Sequence, residues 1–212
     1  MAGKESGLFI FSKTMTQEIL ENLFDSLTKV RLLKLFLRNS DKFFHQKEIS
    51  RRVQAEARLV NRQIDKLFKI GFLRIKTIKK ERKNLKRGIY FSVNPEFNFY
   101  HELRSLISKS SPASKEKILK RVLRLGRIKL LLLAGIFLNS DNSRIDLFIV
   151  GDHVSPQKLR SFLKDLESEV GKEIEFAVMN TKEFYYRFHM FDRFVHDILE
   201  KPNEKLINKL RL

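Results

Sequence analysis

The sequence predicts an α+β chain in two parts, on three observations. Apolar residues recur at spacings of three and four through residues 16–70; period-two alternation then flanks a basic stretch; and beyond a short polar segment helical and strand-like patterns interleave.

In the first part Ile19, Leu20, Leu23, Phe24 and Leu27, followed by Leu32, Leu33, Phe36 and Leu37, trace the stripe of one long helix or two abutting ones over Thr16–Asn39, stopped by Asn39, Ser40 and Asp41. Gln46–Val53 (QKEISRRV) is a short helix anchored by Ile49 and Val53. A third helix is expected over Glu56–Ile70, with Val60, Ile64 and Leu67 inward and Gly71 supplying the left-handed position that ends it. Leu73 and Ile75 then alternate with Arg74 and Lys76, as Ile89, Phe91 and Val93 do with Tyr90 and Ser92, so two half-buried strands form a hairpin with a basic tip. Three helices and a hairpin in this order make a winged helix-turn-helix, expected over residues 16–107.

Ser108–Ser114 (SKSSPAS) has the composition of a linker, and a second domain is expected over 115–212. There Lys115–Arg127 is a basic amphipathic helix with Ile118, Val122 and Leu125 inward. It leads into a strand, Lys129–Leu138, a turn at NSDNS and a second strand, Arg144–Val150. A helix over Ser155–Val170 buries Leu159, Phe162, Leu163 and Leu166, and a third strand covers Ile174–Met179. One last helix, Thr181–Glu200, turns Phe184, Phe188, Phe191, Val195 and Ile198 to the core.

Charge is the strongest functional signal. With 43 Lys and Arg against 25 Asp and Glu in 212 residues, the formal charge is +18, which suits a polyanionic partner. It is lopsided: 24 basic and 11 acidic residues precede Ser111, and Ser111–Leu130 add seven basic to one acidic, so the rest of the second domain is near neutral. Zero cysteines exclude disulfides, thiolate zinc sites, iron–sulfur clusters and cysteine nucleophiles. The longest apolar run, Leu130–Leu138, is about half what a membrane-spanning helix needs, and MAGKESGLFIFSKTM lacks a sustained apolar core and a cleavage site, so no membrane and a cytoplasmic address are expected. His45, His101, His153, His189 and His196 show no metal-ligand spacing, and no Gly-rich phosphate loop is present.

In a winged helix the third helix enters the major groove. Its outward face here carries Arg58, Asn61, Arg62 and, one turn on, Lys66, residue types with the donor and acceptor geometry for guanine and adenine edges. Residues 71–90 hold Lys76, Lys79, Lys80, Arg82, Lys83, Lys86 and Arg87, with Arg74, against Glu81 alone, which suits a phosphate backbone.

The stretches LFDSLTKVRLLKLFLRN, QKEISRRV, VNRQIDKLFKIGFL and GIYFSVNPEFNFYHELRSLI resemble the winged-helix domain of small prokaryotic regulators of the arsenical-resistance-repressor type, over roughly Glu18–Ile107. The resemblance implies operator binding as a dimer; the metal-sensing cysteine and histidine clusters are absent, so metal-responsive derepression does not carry over. The string GIFLNSDNSRIDLFIV, with the element order around it, resembles the minimal nucleotidyltransferase domain over roughly Lys115–Leu210. That family's motif implies Gly-Ser after the first strand to hold triphosphate, Asp-x-Asp on the second, and a third carboxylate on the next, completing a two-metal site. Gly135 matches the glycine, Ile136 stands for the serine, Arg144 for the first aspartate, Asp146 matches the second and Glu175 could stand for the third. On one strand Arg144 and Asp146 would share a face, and the guanidinium would repel Mg²⁺ and pair with Asp146. Asp141, in the turn, would lie off that face.

The expected function is a sequence-specific DNA-binding transcriptional regulator and no enzyme, with no cofactor and no metal. It would act as a homodimer on double-stranded DNA, while the degenerate transferase-like domain serves dimerisation, docking of a protein partner, or sensing of a ligand such as a nucleotide. The alternative is an active nucleotidyltransferase of antitoxin type modifying a protein or RNA; an adaptor for structured RNA is a third reading.

Overall fold

The structure, a computed structural model, describes residues 19–78, 87–110, 113–140 and 142–210. These fall into two compact units, 19–110 together with 167–172, and 113–166 together with 173–210, each mixing helices with a sheet.

In the first unit the helical stripe is two abutting helices, the second of the alternatives its spacing allows. Helical turns over 19–24 end at Asp25, whose φ of +51° few side chains adopt, and Ser26 restarts the chain by accepting the Lys29 N–H at its Oγ (3.2 Å). Helix α1, Leu27–Leu37, is the centre of the unit, with Val30 and every residue from Leu32 to Leu37 buried. Lys34 is among them: its ammonium donates to the Glu169 carbonyl at 3.1 Å, and burial pushes its pKa down to about 8. The amide of Asn39 ends α1 by donating to the carbonyls of Leu35 (2.7 Å) and Gly171 (2.8 Å).

Strand β1, Phe44–His45, leads into α2, Gln46–Val53, which His45 caps by accepting the Lys47 N–H at Nδ1. Helix α3, Ala57–Lys69, buries Val60, Ile64 and Leu67 as their spacing predicts. It closes as expected on Gly71, at φ +80°: the N–H of Gly71 reaches the Phe68 carbonyl (2.9 Å), that of Phe72 reaches Leu67 (3.0 Å), and Phe72 is buried. Strands β2, Leu73–Ile78, and β3, Gly88–Val93, pair antiparallel, and β1 adds to β3 in the order β1-β3-β2. Helix α4, Tyr100–Lys109, takes in Ser108 and Lys109, two residues expected in the linker.

The second unit differs from expectation at its turns. Helix α5 covers Lys115–Val122 only, and β4 runs Arg127–Leu133 instead of Lys129–Leu138, because Gly135–Leu138 coil into a 3₁₀ turn that starts with Gly135 at φ +49°. Strand β5, Leu147–Asp152, begins three residues later than expected. Helix α6 follows at Pro156–Val170, then β6, Phe176–Met179, two residues shorter than expected. The single helix expected over Thr181–Glu200 is two: α7, Thr181–His189, and α8, Arg193–Glu200. Phe191 between them takes φ +55°, and Asp192 caps α8 by accepting the N–H groups of Phe194 and Val195 (3.0 and 3.1 Å). Phe191 is therefore 81% exposed rather than in the core. Strand β7, Glu204–Asn208, was not anticipated; it completes a sheet of order β6-β5-β4-β7 in which only β5 and β6 are parallel. Leu130, Leu132, Phe148 and Val150 form the core of this unit with Phe184, Val195 and Ile198.

Candidate functional site

The two sets of residues singled out in the sequence have opposite fates. On α3 the inward stripe of Val60, Ile64 and Leu67 forces Arg58, Arg62 and Lys66 to the opposite side, where all three are exposed. Lys69, not anticipated, extends the row by one turn, and Asp65 interrupts it. The spacing of the inward residues already determined both positions. Leu59, 47% exposed, is an apolar member of the same surface, of the kind that packs on a thymine methyl.

Asn61 is the exception among the expected base readers. It is half-buried, and its Oδ1 accepts a hydrogen bond from Nε2 of Gln46 at 3.1 Å, so the first residue of α2 fixes the orientation of the amide. Gln46 was missed; a glutamine opening the helix that precedes α3 was the available signal.

On the hairpin Arg74, Lys76 and Arg87 are exposed. Lys76 places its ammonium 5.1 Å from the centroid of the Phe43 ring, which holds the charge near the sheet without neutralising it. Lys79, Lys80, Arg82, Lys83 and Lys86 lie outside the described residues.

Of the residues singled out in the second unit, Gly135, Ile136 and Glu175 come together around Asp146 through their backbone, and Arg144 is directed elsewhere. Gly135 opens the 3₁₀ turn after β4, and Asp146 stands beside it: a Cβ added at Gly135 would lie 2.1 Å from Asp146 Oδ1, so only glycine fits. That oxygen accepts the N–H of Ile136 at 2.8 Å, while Oδ2 accepts the N–H of Glu175 at 3.0 Å. Asp146 thus clamps the turn after β4 to the chain entering β6, in the place where the family pattern puts a phosphate or a metal. The backbone repeats the clamp, Asp146 N–H donating to the Glu175 carbonyl (2.6 Å) and Ala134 N–H to the Asp146 carbonyl (2.9 Å).

Arg144 does not pair with Asp146. Because β5 starts only at Leu147, the alternation assumed for residues 144 and 146 does not apply, and the Arg144 guanidinium instead meets Oδ2 of Asp197 on α8 at 3.1 Å. Glu175 contributes its backbone to the corner, and its side chain is exposed. Asp141 lies outside the described residues. One carboxylate already holding two amides, an arginine directed to another acid and a solvent-facing glutamate do not fit a pair of divalent ions, and among the described residues no group of three His, Cys, Asp or Glu is gathered to hold a metal.

Among the described residues no helix is long and apolar enough to cross a membrane. Set against models of protein families, curated proteins and solved structures, the chain matches none.

Proposed function

We propose that the chain is a sequence-specific, double-stranded DNA-binding transcriptional regulator acting as a homodimer, in which the first unit serves as a winged helix-turn-helix and the second as a non-catalytic, nucleotidyltransferase-like domain for dimerisation, partner docking or ligand sensing. The observation that carries the reading is the row Arg58, Arg62 and Lys66 on α3, exposed opposite a fully buried stripe and, among the described residues, engaged by no carboxylate. A helix so presented inserts its cationic side into a major groove, where Arg reads the O6 and N7 of guanine and the NH₂ of Asn61 meets an acceptor on a base edge. Arg74, Lys76 and Arg87, exposed on β2 and beside β3, then meet phosphates. The clamp made by Asp146 supports a structural rather than a catalytic second unit.

Selection of bound duplexes from a random pool, followed by titration of the selected site, tests this. A two-fold symmetric site is expected, and Arg62→Ala is expected to weaken binding to it by about 1–3 kcal/mol while relaxing the preference at one position in each half-site. A pool that yields no preferred site, or a selected site whose affinity Arg62→Ala leaves unchanged, overturns the assignment.

A further inference from the structure

The seven-to-one excess of basic residues over Ser111–Leu130 belongs to the second unit and is not accounted for by α3 or the hairpin. Lys115, Arg121 and Lys129 meet Glu204, Asp165 and Asp152, and three of the other cations share one face. Ile118 and Val122 are buried, and Lys117, Lys120 and Arg124 stand exposed along one line of α5 and the turn that follows it, at intervals of three and four. Helix α6 lies alongside: Arg121 pairs with Asp165 at 2.5 Å, and the Lys158 ammonium reaches the Arg124 carbonyl at 3.4 Å. Lys158 itself is exposed. Of the acids at this face, Asp165 is held by Arg121, and Glu116 stands at the edge next to Lys120.

We infer that α5 and the adjoining start of α6 form a second cationic surface, built of residues other than those of α3 and the hairpin, that binds the sugar–phosphate backbone of double-stranded DNA. It takes its partner from the DNA-binding reading of the first unit but rests on different residues. Lys117 to Arg124 span about 10 Å along the helix, the rise of about three nucleotides of one strand, so three cations can each meet a phosphate. The face carries no base-reading pattern and adds affinity for any sequence. A lipid surface fits less well, because the apolar side of α5 that would enter a bilayer, Ile118 and Val122, is packed in the unit's own core.

The test uses the full chain and a 24-base-pair duplex of random sequence, with binding followed by fluorescence anisotropy from about 50 to 200 mM KCl. The triple variant Lys117→Ala, Lys120→Ala, Arg124→Ala is expected to melt like the wild type. Its slope of log affinity against log salt should be lower by two to three, so that the wild type loses about 16- to 64-fold more affinity across that range than the variant. Lys158→Gln, a second disruption of the same face, should lower the slope by about one. Should Arg58→Ala with Arg62→Ala weaken binding while both α5–α6 variants keep the wild-type slope, the second surface is overturned and the α3 reading stands. The opposite pattern removes the α3 reading and leaves this surface. A wild type that binds no duplex removes both, and a triple variant defective instead toward phosphatidylserine vesicles or an RNA hairpin assigns the face to a different partner and overturns the inference.

Discussion

Two regions of the molecule carry the residue types that chemistry uses, and they treat them differently. On α3, Arg58, Arg62 and Lys66 rest on a helix whose other side is the core, and no carboxylate of the described residues holds their charges. At the corner between β4 and β5 two charged groups are engaged within the chain, Asp146 by the N–H groups of Ile136 and Glu175, Arg144 by Asp197. A charged side chain that its own chain has satisfied is part of the scaffold, whereas one held out with nothing opposite is available to something else. Asn61 stands between the two cases, half-buried and with its amide oxygen tied to Gln46.

The comparison breaks first at Asp146. Asp146→Ala leaves two backbone N–H groups without their acceptor and should lower the urea-unfolding stability of the chain by about 2–4 kcal/mol; Asp146→Asn, which keeps one acceptor, should cost about half as much. Incubation of the wild type with labelled nucleotide and Mg²⁺ should give no incorporation, and incorporation that disappears in Asp146→Asn would make the residue a catalyst instead of a clamp. Lys34 offers the next largest effect. Its pKa is near 8 in the folded chain and about 10.5 when unfolded, so between those values the unfolded state binds the additional proton and stability rises with pH, by up to about 1.4 kcal/mol per unit. Below pH 8 both states are protonated and this contribution is flat. In Lys34→Met the rise between pH 8 and 10 should be missing when the two proteins are titrated side by side. Gln46→Ala sharpens the intermediate case: freeing Asn61 should weaken a selected operator by about 1 kcal/mol, about five-fold, with no change in the salt slope, because no phosphate contact is lost.

Helical periodicity carried most of the first unit. Val60, Ile64 and Leu67 are three local residues whose spacing fixes which side of α3 faces out, and Gly71 could be read as its end because a left-handed residue favours glycine. The second unit was less legible because its decisive events are non-local. Nothing in the spacing of Arg144 and Asp146 announces that the carboxylate will turn to an amide ten residues before it and another 29 residues after it. Strand β7 is a short, mostly polar edge strand that exists because β4, about 70 residues earlier in the chain, offers it a free edge. The break at Phe191 did leave a local sign: Asp192 is a good helix-capping residue in the middle of what periodicity alone reads as one helix. Gln46 and Asn61 lie 15 residues apart on different helices, so their pairing had no local trace.

The corner at Asp146 has a consequence for any ion that approaches it. An ion drawn to that carboxylate would have to share it with the amides that keep the turn after β4 in shape, so ion capture and local order there oppose one another, and added Mg²⁺ should leave the thermal midpoint unchanged or lower it. Arg144→Asp alone would set a second negative charge near an acid already in use and strip Asp197 of its cation. Any route from this arrangement to a two-ion centre therefore begins with a less stable protein, a barrier set by folding before chemistry enters.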